Sequence, residues 1–99
     1  MLLIRDVFNC KPGKVRPMVD KFKAMAKLSE KMGMGKTRIM TDVSGEHFWT
    51  VVSEFEVESF DEFMRMGTDP DEMKEFEKIM KDYHDLVDHG RREIYRIED

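Results

Sequence analysis

Three histidines, one cysteine, two tyrosines and one tryptophan are the side chains of this sequence from which acid–base, nucleophilic or metal chemistry would be built. His84 follows Tyr83 and stands one helical turn beyond Met80, at the margin of an apolar stripe. From there it could reach a cleft between helix and sheet and act as a general base, since imidazole titrates near neutrality. A half-exposed histidine at a helix edge accounts for the same position. His89 falls on the opposite side of that helix near its C-terminus, where a dipole contact suffices, and His47 adjoins a hairpin loop. No carboxylate shares a face with them at ligand spacing, so a metal site is not expected, and Asp85, Asp88 and His89 read as a solvated face. Cys10 is the only cysteine, which excludes an intramolecular disulfide and leaves a reactive thiol unsupported. Gly33-Met34-Gly35-Lys36 lacks the remaining spacing of a phosphate loop. Trp49, Met80, Tyr83 and His84 together are the candidate lining of an apolar pocket, and no cofactor is expected.

These residues must be positioned by the elements around them, and the stretch from Lys36 to Phe63 organises those. Thr37 to Val43 and Phe48 to Val57 alternate on either side of Ser44-Gly45, the signature of a β-hairpin. In the second run Trp49, Val51, Ser53, Phe55 and Val57 share one face, a core face. Phe48, Thr50, Val52, Glu54 and Glu56 share the other, which is mixed, and a three-residue loop would add Arg38, Met40 and Asp42 to it. Glu54, Glu56, Arg38, Arg92 and Arg96 are candidates for ion pairs between strands or between subunits. The run ends where Ser59 and Glu62 have the spacing of a capping box.

Upstream, Leu2 to Asn9 predicts a strand with Arg5 and Asp6 on opposite faces. Lys11-Pro12-Gly13-Lys14 turns the chain. Val15 to Met32 predicts an amphipathic helix, with lysines opposite Met18, Val19 and Phe22, ending at Gly33. Downstream, the second helix breaks near Gly67-Pro70: one piece holds Phe60 and Phe63 and stops at Gly67, and Asp69-Pro70 restarts the next. Met73, Phe76, Met80, Tyr83 and Val87 carry its stripe to a C-cap at Gly90, and Arg91 to Glu98 closes as a fourth strand.

Strand, helix, strand, strand, broken helix, strand is the β-α-β-β-α-β order, a ferredoxin-like α+β sandwich with a four-stranded antiparallel sheet over residues 1–99 as one domain. Helices on one sheet face leave the other bare, so a homodimer through the sheet face is expected. The net charge of −4 argues against a nucleic-acid partner. No run approaches a membrane span and Arg5 and Asp6 interrupt the N-terminal apolar run, so a cytoplasmic protein is expected. The ten methionines are pliable core fillers that also line adaptable binding surfaces.

The Lys11-Pro12-Gly13-Lys14 turn, the hairpin ending in Phe55-Glu56-Val57-Glu58-Ser59 and the split helix at Phe60-Asp61-Glu62-Phe63 resemble the dimeric α+β barrel superfamily. Within it the chain looks closest to NIPSNAP-like and antibiotic-biosynthesis-monooxygenase-like proteins. The resemblance implies a dimer, in a group that includes cofactor-free oxygenases, haem-degrading enzymes, cyclases, isomerases and many proteins with no known role. The haem-degrading pattern does not carry over: Asn9 lies at the wrong distance from the Pro-Gly turn, Phe63 stands where tryptophan belongs, and Met73 to Met80 holds no histidine. Two readings follow. One is a protein that binds a small, largely apolar organic molecule in a sheet–helix cleft and acts on it as a cofactor-independent monooxygenase or isomerase, with Tyr83 and His84 nearest the chemistry. The other is a non-catalytic dimerising module whose cleft is filled by its own side chains.

Overall fold

The structure, a computed structural model, describes residues 1–66 and 68–99. It is a slab 35 × 35 × 18 Å, the thickness of one sheet and one helical layer. In order the elements are β1 (Leu2–Cys10), α1 (Val15–Lys31), β2 (Arg38–Thr41), β3 (Thr50–Val57), α2 (Phe60–Arg65), α3 (Pro70–Ile79), a 3₁₀ turn (Tyr83–Asp85) and β4 (Val87–Arg96). The strands lie antiparallel in the order β2-β3-β1-β4. This is the expected α+β, ferredoxin-like fold. Within one chain the sheet is open, with β2 and β4 as its edges.

Alternation assigns the two faces. In β1 the even positions meet the helices: Ile4 is fully buried, and Phe8 packs edge-on against Phe22 of α1 with centroids 5.2 Å apart. Val51, Ser53, Phe55 and Val57 of β3 oppose Phe8, Asp6, Ile4 and Leu2 and share that face. Met18, Val19 and Phe22 of α1 are buried against it with Cys10 and Val51. Gly33, at φ +80°, ends α1 in the left-handed region where glycine carries no Cβ penalty. Lys21, from the middle of α1, donates to the carbonyls of Ile79 and Lys81 at 3.1 and 2.6 Å and so ties α1 to the end of α3.

Both helix starts form as their sequences predict. The Ser59 hydroxyl accepts from Glu62 N at 3.2 Å, while the Glu62 carboxylate accepts from Glu58 N, one residue earlier than in the usual box. The Asp69 carboxylate accepts from Asp71 N at 2.8 Å, with Pro70 in the first helical position. Gly67, expected to stop the first helical piece, lies outside the described residues.

Several expectations are corrected. The stripe from Met73 to Val87 is not one helix: α3 stops at Ile79, Asp82 turns at φ +62°, and β4 begins at Val87. Tyr83, Leu86 and Val87 still pack on the core, so the helical spacing is satisfied by a different backbone path. Gly90 is therefore no C-cap but lies in β4 opposite Phe8, and His89 belongs to the sheet, not to a helix end. Trp49 is not on the core face of β3: it has φ +63°, is 44% exposed, and precedes the strand in the loop from 42 to 49. That loop is longer than three residues. Asp42 closes it by accepting from Thr50 N at 2.7 Å, and Arg38 and Met40 oppose Glu54 and Val52 on the mixed face as expected.

Candidate functional site

Between the sheet and the three helices lies a cavity of about 480 Å³. Each element contributes a wall for a local reason. The floor is the helix face of the sheet, with Phe8, Ser53 and Phe55. Met25 and Ala26 descend from α1, one turn beyond buried Phe22. Phe63 of α2 leans toward Phe55 with centroids 6.3 Å apart, and Phe76 and Met80 close the α3 side. Aromatic rings and flexible thioethers make an apolar wall that adapts to its contents.

Polar groups cross the floor in one line. Asp6 of β1 is flanked in register by Ser53 of β3 and by Arg92 of β4. Arg92 donates from Nε to Asp6 Oδ1 at 2.6 Å and from Nη2 to Asp6 Oδ2 at 3.2 Å, a bidentate pair. Its guanidinium also stands 5.1 Å from the centroid of Phe63, within cation–π range. The Asp6 hydrogen bond holds the Arg92 cation more firmly charged than in water. Ile4, Phe55 and Ile94 form the rung on one side of this line, and Phe8, Val51 and Gly90 the rung on the other.

The opposite face of the sheet carries a ladder of charges. Glu54, only 6% exposed, accepts from Arg5 at 2.6 Å and from Arg38 at 2.8 Å. Glu93 accepts from Arg91 at 2.8 Å and from the Tyr95 hydroxyl at 3.1 Å, and these bonds, Arg91 first, hold its carboxyl below the usual range. At one end Asn9, itself buried, contacts His89 Nε2 at 2.9 Å and accepts from the Thr50 hydroxyl at 3.3 Å, and His47 stacks edge-on to His89. Of the ion pairs expected between strands, Arg38–Glu54 forms on this face; Arg92 pairs instead with Asp6 on the helix face, and Glu56 and Arg96 form none among the described residues.

Of the residues singled out in the sequence, Met80 lines the sheet–helix cavity. Tyr83 and His84 line an adjoining depression that shares Asp6, Phe8 and Arg92 with it. The Tyr83 ring packs against Phe8, and the His84 ring lies 4.0 Å from that of Tyr83 with its side chain exposed. Trp49 lines neither space. Burial, with Asp88 and Asp42 adding to it, pushes the Cys10 thiol up, which disfavours thiolate chemistry. The polar line Ser53–Asp6–Arg92 went unread in the sequence. Its signal is a charged or hydroxyl residue at a core-facing parity, Asp6 between Ile4 and Phe8 and Ser53 between Val51 and Phe55; only the register brings the three together.

A four-stranded antiparallel sheet, helices on one face and an open cleft between them define a ferredoxin-like α+β protein. Solved structures of the same fold include an uncharacterised NIPSNAP-like domain protein from Burkholderia xenovorans (14% identity, 98% of this chain and 84% of that one, TM-score 0.76). A NIPSNAP family protein from Agrobacterium tumefaciens is similar at 12% identity over 99% of this chain and 93% of that one, with a TM-score of 0.75. A protein described as a candidate antibiotic biosynthesis monooxygenase from Deinococcus radiodurans is similar at 8% identity, covering 100% and 94%, with a TM-score of 0.72. No protein-family model and no curated protein sequence matches the chain. At these identities the likeness establishes the fold. No helix among the described residues is long and apolar enough to cross a membrane.

Proposed function

We propose that the protein binds a small, largely apolar organic molecule in the cleft between sheet and helices. The observation that carries this reading is the open space itself: about 480 Å³, walled largely by phenylalanines and methionines, with Asp6, Ser53 and Arg92 in line on its floor and the hydroxyl residues Ser29 and Thr37 elsewhere in its wall. Ligand sites have this size and this ratio of apolar wall to convergent polar groups. The open volume favours it over a module whose cleft is filled by its own side chains. Cofactor-independent oxygenation or isomerisation of the bound molecule is the chemistry that the fold resemblance suggests for such a space. Tyr83 and His84 would act on it only from the adjoining depression, across Phe8.

We further propose that two copies associate through the charged sheet face. Leu3, Val52 and Met40 add apolar surface between the ion pairs there, and Glu54 and Glu93 are already paired within one chain, so covering them strands neither carboxylate. A cytoplasmic setting suits a chain whose only cysteine is buried and unbridged.

Filling the cleft tests the ligand reading. The protein should bind a neutral solvatochromic dye such as Nile red, and Ala26→Trp, which drives an indole from α1 into the cavity, should weaken that binding at least tenfold. Ser53→Phe, filling it from the floor, should do the same. Both variants binding dye as the parent does would place the apolar site elsewhere and end this reading.

A further inference from the structure

The polar line on the cleft floor holds one acid and one base. Asp6 and Arg92 neutralise one another, yet both remain accessible, with 18% and 53% of their side-chain surface exposed. The bidentate contact uses Arg92 Nε and one Nη2 hydrogen, leaving Nη1 and the second Nη2 hydrogen as donors. Each Asp6 oxygen keeps lone-pair capacity. Ser53, one strand away in the same register, adds a hydroxyl. The line therefore offers a donor and an acceptor side by side, with no net charge, in a space walled mostly by apolar side chains. A carboxylate entering it would meet Arg92 favourably but lie against Asp6; an ammonium would meet Asp6 but lie against Arg92. Solvent that reaches Arg92 moderates either repulsion, but both act at contact distance within the cleft. A neutral group that both accepts and donates, an amide or a hydroxyl beside a carbonyl, can pair with Arg92 and Asp6 without opening their ion pair.

We infer that the cleft takes neutral apolar molecules bearing a hydrogen-bond donor and acceptor on neighbouring atoms, and rejects the corresponding anions and cations, because the Asp6–Arg92 pair with Ser53 forms a charge-balanced recognition line. This inference rests on the cleft being the binding site. Three probes with one ten-carbon tail separate the possibilities by isothermal titration at pH 7: decanamide, decanoate and decylamine. The amide should bind at least tenfold more tightly than either ion. Selectivity should then follow the charge of the line. Asp6→Asn leaves Arg92 unbalanced and should move the preference at least tenfold toward decanoate; Arg92→Gln leaves Asp6 unbalanced and should move it as far toward decylamine. Equal affinity of the parent protein for all three would leave the cleft as an apolar site and overturn the role of the line. So would an unchanged order of affinities in both folded variants. Binding of none of the three would remove the cleft reading and this inference with it.

Discussion

Replacing Gly90 with alanine is expected to destabilise the protein by about 2 kcal/mol, and with valine by about 3 kcal/mol. Two effects oppose one another here. A glycine inside a strand costs about 0.5–1 kcal/mol relative to alanine, so on backbone entropy alone the substitution would stabilise. But a Cβ on Gly90 would lie 2.5 and 2.6 Å from Cδ1 and Cε1 of Phe8, far inside the ~3.5–4.0 Å of a good carbon contact. The ring cannot simply retreat, because Phe22 and Tyr83 stand edge-on to it at centroid distances of 5.2 and 6.0 Å. Overpacking therefore outweighs entropy. Urea unfolding measures the loss, and Phe8→Leu should relieve most of it in the double variant, since residues in contact couple. A Gly90→Ala protein as stable as the parent would mean that the Phe8 ring is not wedged.

Glu54→Lys carries the next largest effect. The Glu54 carboxylate is shared by Arg5 and Arg38, and reversing it gathers three cations on the middle of the sheet face. Arg38 is largely exposed, so its half of the network counts for little; the better shielded Arg5 contact sets a loss of about 2–3 kcal/mol. If two copies meet on this face, the change does more. Sedimentation equilibrium should return about 24 kDa for the parent, twice the 11.8 kDa chain, and a monomer for the folded variant. A parent protein that sediments as a monomer at micromolar concentration would contradict the proposed association.

The fold was legible where local chemistry and long-range packing agree. The alternation of β1 and β3, the Ser59 and Asp69 caps and the glycine ending α1 each name their element from a few neighbouring residues. The reading failed where one pattern fits two backbones. Met80, Tyr83 and Val87 keep helical spacing, but the chain leaves the helix at Ile79, because β4 must start early enough to pair along the length of β1. Asp82, a residue that tolerates the left-handed region, makes that exit and gives only a faint signal in the sequence. Trp49 misled differently: its parity continues the core face of β3, but at positive φ the alternation breaks one residue before the strand begins. Of the site, the apolar walls follow from composition and the Met80 position. The line of Ser53, Asp6 and Arg92 joins residues up to 86 positions apart, and only strand register aligns them.

The ten methionines supply the most direct test of the cleft. Met25, Met34, Met64, Met66 and Met80 line it, whereas Met40 lies on the other face of the sheet. With methionine methyl groups labelled with carbon-13, titration with decanamide should shift the signals of the five cleft methionines and leave Met40 in place. Shifts at Met40 with the other five unmoved would contradict the account, since the ligand would then occupy the charged face and not the space between sheet and helices.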